Sequence, residues 1–239
     1  VPARIFRFPL VIILPVFFSF FLYGTTPDPD PIRGYPTIVN YTASQYNGHP
    51  QNFTVTRDNR GVVYAGNNQG ILEFDGQSWR IVPQETGTFV RALAKDSRGT
   101  VYVGGVGDFG FLETNLFGQT HYRSLIPKIP VEHRKFADIY SVFPTGHGVY
   151  FVSTEKVFRW HRGNISVISI QALQGTGCVV NGKLYLPTKP HRLTEIHNGK
   201  ISYMPVPGVF DPKRPIVLAP YSQRRILIAG AATGTFIFN

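Results

Sequence analysis

The sequence predicts an all-β fold made of repeated, four-stranded antiparallel units, and three observations lead there. RDNRGVVYAGNNQGILEFDG (57–76) is written again as KDSRGTVYVGGVGDFGFLETN (95–115), and a fixed repeat decides architecture ahead of any local reading. The 24 Gly and 19 Pro are scattered through all 239 residues, which suits many short strands joined by tight turns. Gly, Asn or Asp marks the reversals between short apolar runs, the pattern of an antiparallel meander. Four strands recurring with a period of about 40 residues are the signature of a β-propeller blade.

The first unit runs NFTVTR, the turn DNRG, VVYAG, the turn NNQG, ILEFD, a Gly76-Gln77 turn and SWRIV. Gly tolerates positive φ at such reversals, and Asp or Asn side chains bond the turn backbone. The second unit reads VRALAK, DSRG, TVYVGG, FGFLET and a strand around HYRSLI; the third reads DIYSVF, TGHG, VYFVS, KVFRW and ISVISI. The fourth is GTGCVV, NGK, LYLPT, RLTEIH and KISYMPV, and the fifth begins PIVLAPY, SQRR, ILIAG, GTFIFN. About five blades are expected, the last incomplete, at roughly 50–86, 87–132, 136–170, 171–210 and 213–239. Tyr64, Tyr102, Tyr150, Tyr185 and Ile228 fall at matching places, 38, 48, 35 and 43 residues apart. Each is expected to pack between neighbouring sheets, because one blade cannot bury its own faces.

The segment 1–24 differs in kind: Arg4 and Arg7, an apolar run from Phe8 to Tyr23, then TTPDPDP. That is the layout of a secretory signal or N-terminal anchor, followed by a linker and lead-in strand over 25–48. Without that segment the chain keeps 22 basic and 14 acidic side chains, net +8, which favours anionic partners. No Lys/Arg-rich run or nucleic-acid motif occurs, so nucleic acid is not expected as a partner. The single cysteine, Cys178, excludes an internal disulfide framework and a cysteine zinc cluster, and it reads as a small buried hydrophobe.

From Tyr35 onward the words become specific: Pro36, Ile38, Asn40, Tyr41, Tyr46 and Phe53, then Asp58, Gly61, Tyr64, Gly66, Gly70, Leu72, Asp75, Gly76 and Trp79. Over 35–82 the chain resembles the opening of the two-component regulator propeller family, the periplasmic sensor domains of Bacteroidetes-type hybrid sensors and regulators. The resemblance implies a periplasmic or cell-surface input domain without its own catalysis. It also implies further blades, a membrane helix and an output module beyond residue 239, with a second copy of the chain as an expected partner.

The search for chemistry points to loops. The seven histidines show no H-E-x-x-H spacing, so neither a metal nor another cofactor is expected. Asp58 and Asp96 fall at equivalent repeat positions and read as turn-stabilising. No spacing singles out the two facing acids a glycosidase needs. The loops after the second and fourth strands share one face of a propeller, and function concentrates on such loops. Among their residues are His133, Arg134, Lys135, Lys189, His191 and Arg192, with Phe109 as a stacking platform. The expected ligand is an extracellular small molecule or oligosaccharide, anionic in character. A secreted interaction scaffold and a propeller hydrolase or lyase are the alternative readings.

Overall fold

The computed structural model describes residues 38–84, 89–190, 192–206, 214–230 and 234–238. The expected signal segment, Pro36 and His191 lie outside the described residues. Tyr41–Asn239 forms one compact unit, distinct from Val1–Asn40. Within the described part of the expected linker and lead-in, 38–48, the chain forms a one-turn helix, α1 (Ala43–Tyr46). The reason is local: Gln45 Oε1 accepts the Thr42 N–H at 2.7 Å, a capping contact that satisfies an otherwise orphaned donor. Asn47 then stops the turn in the left-handed region, φ 49°.

Four antiparallel strands make the first sheet: β1 (Asn52–Arg57), β2 (Val63–Asn67), β3 (Gly70–Phe74) and β4 (Trp79–Val82), paired in chain order. The second holds β5 (Val90–Lys95), β6 (Val101–Gly105), β7 (Phe109–Thr114) and β8 (Thr120–Ser124). The third holds β9 (Ser141–Thr145), β10 (Gly148–Val152), β11 (Lys156–His161) and β12 (Asn164–Ser169). After β13 (Gly175–Thr176) come β14 (Cys178–Val180), β15 (Lys183–Thr188), β16 (Arg192–His197) and β17 (Lys200–Pro205), the fourth sheet. The fifth unit contributes β18 (Ile216–Ser222), β19 (Arg225–Gly230) and β20 (Gly234–Phe238). A fourth strand is added at the edge beside β18 by β13, which pairs parallel to it through Gly175 with Ile216 and Thr176 with Val217. The first strand of the fourth unit is therefore broken at Gly177 and shared between two sheets. A Cβ at Gly175 would lie 1.8 Å from the Ile216 carbonyl oxygen, so this approach requires glycine.

Neighbouring sheets pack in chain order, β1 against β5, β5 against β9, β9 against β14 and β14 against β18. Strand alternation sends successive side chains to opposite faces, and each junction is built from both. Tyr64, Ile71 and Val82 meet Val101, Val103 and Leu112 between the first two sheets. Tyr102 and Phe109 meet Val149, Phe151 and Phe158 at the next, and Tyr150, Val152 and Val157 meet Leu184, Leu186 and Ile196 at the third. Each such side chain contributes on the order of 2–3 kcal/mol by leaving water. The glycine after the recurring tyrosine has a matching cause: a Cβ at Gly66 would come 2.8 Å from Val90, and one at Gly104 2.5 Å from Ile139.

One expected equivalence fails. Tyr64, Tyr102 and Tyr150 face the following sheet, whereas Ile228 packs with Cys178, Leu193 and Leu218 against the preceding one. With a side-chain period of two, a one-residue shift of phase exchanges the faces. Asp58 and Asp96 do hold turns. Asp58 Oδ1 accepts the Arg60 and Val62 N–H groups at 2.9 and 3.0 Å, and Asp96 Oδ1 those of Arg98 and Thr100 at 3.0 and 2.9 Å.

Candidate functional site

In an antiparallel four-stranded blade the loops after the second and fourth strands emerge at the same edge, so they line one face of the packed sheets. Two clefts open there. One of about 300 Å³ is walled by Lys135, Phe136, Ser153, Thr154, Glu155 and Lys156. The other, about 460 Å³, is walled by Tyr140, Ser141, Thr154, Leu173, Gly175 and Thr176. Thr154 belongs to both, so the two adjoin. Tyr140 is 50 % exposed and stands where the third unit's first strand begins.

The segment between β8 and β9 shapes this face through two short 3-10 turns, Ile126–Lys128 and Val131–His133. Lys156 Nζ donates to the Lys135 carbonyl at 2.9 Å and Ser153 Oγ to that of Ala137 at 3.2 Å. The loop joining the second and third blades is thus tethered by the same ammonium that lines the cleft. Nearby, Arg91 of β5 ties its own strand to β1 and to the segment that leads into β9. Its Nε donates to Asp138 Oδ2 at 3.1 Å, and its guanidinium lies 4.3 Å from the Phe53 ring centroid, a cation–π distance.

The predicted site residues divide. Lys135 lines the first cleft. Arg134 folds back on its own loop, donating Nε to the Ile129 carbonyl at 2.9 Å and an Nη to that of Pro127 at 3.1 Å; it braces the loop. His133 closes a 3-10 turn and lines neither cleft. Lys189 is exposed on the next blade, its backbone N–H bonded to the Ala172 carbonyl at 3.0 Å. Arg192 opens β16 with its guanidinium 5.3 Å from the Tyr203 ring.

Phe109 is a correction. It is 0 % exposed, with the rings of Phe136, Phe151 and Phe158 at 5.8, 4.5 and 4.9 Å. As the first residue of β7, strand alternation turns it into the sheet junction, and no ligand can stack on it there. Tyr140 is the aromatic that stands open on this face. Sequence reasoning missed Tyr140, Ser141, Thr154 and Thr176. Their signal was position, at or beside the start of a unit's first strand or in the loop after its second.

The buried polar groups elsewhere are committed to structure. Glu73 is paired with Arg80, and Asp108 accepts the Ser124 hydroxyl at 2.7 Å. Burial first, and then the Asp96 carboxylate, raises the Tyr102 phenol above its ordinary value. Burial pushes the Cys178 thiol up to about 11, which keeps it protonated and unreactive. Among the described residues no group of three His, Cys, Asp or Glu side chains could hold a metal ion, and no helix is long and apolar enough to cross a membrane.

No family model matches the chain, and no curated protein sequence does. Solved structures are similar in fold. Virginiamycin B lyase from Staphylococcus aureus shares 14 % identity over 83 % of this chain and 72 % of its own, with a TM-score of 0.56. The extracellular domains of two hybrid two-component systems of B. thetaiotaomicron are also similar. BT4673 is 16 % identical over 78 % of this chain and 27 % of its own, TM-score 0.52. BT3049 is 15 % identical over 79 % and 28 %, TM-score 0.55. The fold is therefore that of a β-propeller, and this chain spans little more than a quarter of the two sensor chains. Those sensors are of the kind that the opening motif resembles.

Proposed function

We propose that this chain is an extracytoplasmic sensory input domain of a transmembrane signalling protein, and that its cleft face binds an anionic saccharide without turning it over. The observation that carries the reading is the arrangement around Thr154. Two ammonium groups, the hydroxyls of Ser141, Ser153, Thr154 and Thr176 and the exposed Tyr140 ring line adjacent clefts, in which Glu155 is the one carboxylate. Hydroxyls and ammonium groups suit a hydroxylated, acidic ligand, and a tyrosine face suits a sugar ring. The opening motif, and the likeness in fold to two extracellular sensor domains, support the signalling role.

The Lys156–Lys135 tether supplies a means of response. A ligand carboxylate that takes Lys156 releases the loop joining the second and third blades, and so shifts a pre-existing balance of blade packing. The test is calorimetric titration of the full chain with acidic oligosaccharides, oligogalacturonate first. Lys135→Ala with Lys156→Ala is expected to weaken binding at least about tenfold, since charge-assisted hydrogen bonds contribute about 1.5–3 kcal/mol each. Equal affinity in the double variant would remove the site, and no binding of any acidic oligosaccharide would remove the ligand class. The likeness to virginiamycin B lyase favours a second reading, a propeller lyase. Accumulation of an unsaturated product during the same titration would decide for it.

A further inference from the structure

The turns after the first and third strands look away from the clefts, and one of them is unusual. Between β7 and β8 the chain reads Thr114-Asn-Leu-Phe-Gly-Gln-Thr120. Asn115 Oδ1 accepts the N–H groups of Phe117 and Gln119 at 3.0 and 2.9 Å, and its amide nitrogen donates to Gln119 Oε1 at 2.9 Å. The backbone closes beneath, Asn115 N–H to the Gln119 carbonyl at 2.9 Å and Gly118 N–H to the Asn115 carbonyl at 3.0 Å. On the tip of this tied hairpin Leu116 is 102 % exposed and Phe117 88 %. Single exposed apolar residues are ordinary. Two large adjacent ones, lifted into water on a hairpin that side-chain bonds hold in shape, contribute nothing to the fold that carries them.

The same side carries a basic collar. Arg60, Arg98, Arg162, Lys200, Arg224 and Arg225 stand on or beside such turns, at least one in each of the five sheets. Two carboxylates among them pair with the arginine of their own turn, Asp58 with Arg60 at 2.8 Å and Asp96 with Arg98 at 3.4 Å, while their Oδ1 atoms accept backbone N–H groups; Arg162, Lys200, Arg224 and Arg225 carry the rest of the charge. Asp75 in the first blade is an exposed exception, and so is Glu113 on the hairpin itself, where it pairs with Arg123 at 3.3 Å. Between the second and third blades the collar opens into a cleft of about 540 Å³ with Arg98, His161 and Arg162 on its walls, together with Asp96, the partner of Arg98. Desolvation first, and then Arg159, Arg162 and His147 close by, hold the His161 imidazole below its ordinary value.

We propose that this face docks on a bilayer containing anionic lipid, with Leu116 and Phe117 entering the boundary between headgroups and acyl chains and the collar lying over lipid phosphates. A short apolar insertion combined with a broad surface of one charge is the chemistry of peripheral membrane attachment, in which neither part suffices alone. A protein partner would be expected to need a wide apolar patch with a polar rim. Here the apolar part is one hairpin tip, while the charge spreads across every blade. The arginine-walled cleft offers a seat for a headgroup phosphate.

The experiment places an environment-sensitive fluorophore on the tip of the full chain through Phe117→Cys, and on the opposite face through Glu132→Cys as a control. Cys178 is buried and does not compete for label. The vesicles contain phosphatidylcholine and phosphatidylglycerol in equal parts, or phosphatidylcholine alone. Because the chain has an apolar segment near its start, attachment as such is not the readout; the local environment of each label is. A blue shift is expected at position 117 and not at 132, with the mixed vesicles only, and raised salt abolishes it. Arg98→Glu with Arg162→Glu is expected to weaken the response by about fivefold or more for each arginine. Leu116→Ser, made in the labelled Phe117→Cys protein, leaves the melting temperature unchanged, so loss of the blue shift in that serine variant is not loss of fold. Three results overturn the proposal: no shift at 117, an equal shift at 132, or a shift that persists on phosphatidylcholine alone. A protein oligomer that the serine variant breaks up in the absence of lipid also overturns it, since the tip is then a protein contact.

Discussion

The outer faces of the first and fifth blades are built alike and end differently. On the first blade, Ala65 and Leu72 point away from the second sheet and are buried beneath Tyr46 and Ala43 of α1. Trp79 stacks on Phe74 at 4.7 Å and meets Tyr41 edge-on at 5.4 Å. The buried Asn67 fastens this strap, accepting the His49 N–H at 3.1 Å and donating to the His49 and Gln51 carbonyls at 2.6 and 3.1 Å. On the fifth blade the corresponding face leaves Val217 51 % and Ile237 48 % exposed. Both faces alternate correctly for burial. What separates them is a local cover: the residues that seal the first blade precede it directly in the chain, so they reach its face at little cost in loop closure.

This contrast can be broken from either side. The largest effect is expected at the seal: Tyr46→Ala should lower unfolding free energy by about 3 kcal/mol, in the range for truncating a buried aromatic. Urea denaturation measures it, and a loss below about 0.5 kcal/mol would mean that the strap is not a structural cover. Asn67→Ala should cost about 2 kcal/mol by leaving buried strap carbonyls and an N–H without their partner, with the denaturant slope unchanged.

The Cys178 thiol sharpens the comparison at the other end, since it packs at the junction of the fourth and fifth sheets. Its folded value, about 11, lies above the ordinary thiol value. The stability it contributes is therefore complete below about pH 8.5 and lost as pH rises toward its folded value. Thiol labelling at pH 8 should proceed only through opening of this junction. Ile228→Ala should accelerate it and Tyr46→Ala should not; equal acceleration by both would mean that the two ends open together. The smallest effect is expected on the open face. Val217→Ser with Ile237→Ser should change stability by no more than about 1 kcal/mol, while light scattering shows less self-association, because exposed apolar strand faces are aggregation surfaces.

How much of this was legible depends on the range of the cause. The turn role of Asp58 and Asp96 was readable because each carboxylate bonds N–H groups two and four residues ahead. The tyrosine–small–glycine pattern announced close sheet packing, and Gly66 and Gly104 meet the next blade's side chains. Phe109 was misread because its loop position was visible and its strand phase was not. With the strand starting at Phe109 itself, alternation points the ring inward. Ile228 packs between sheets as expected, but against the preceding one, since matching letters do not fix which face a residue takes. Thr42 and Gln45 carried the signal of the capped turn that the chain forms at 42–46. Tyr140 and Thr154 carried no motif, because a cleft between blades is made by residues that never approach one another in sequence.

The sequence by itself determined the unit: four short strands, Gly, Asn or Asp at their reversals, and an apolar alternation that leaves each sheet needing neighbours on both faces. These follow from contacts within a few residues and from a side-chain period of two. Tertiary structure alone decided which face each alternation turned to its neighbour, how β13 came to pair with a strand some forty residues later, and which hydroxyls and ammonium groups met in one cleft. Each of those depends on how separate sheets stack, and stacking is decided by the summed burial of whole faces rather than by any local sequence signal.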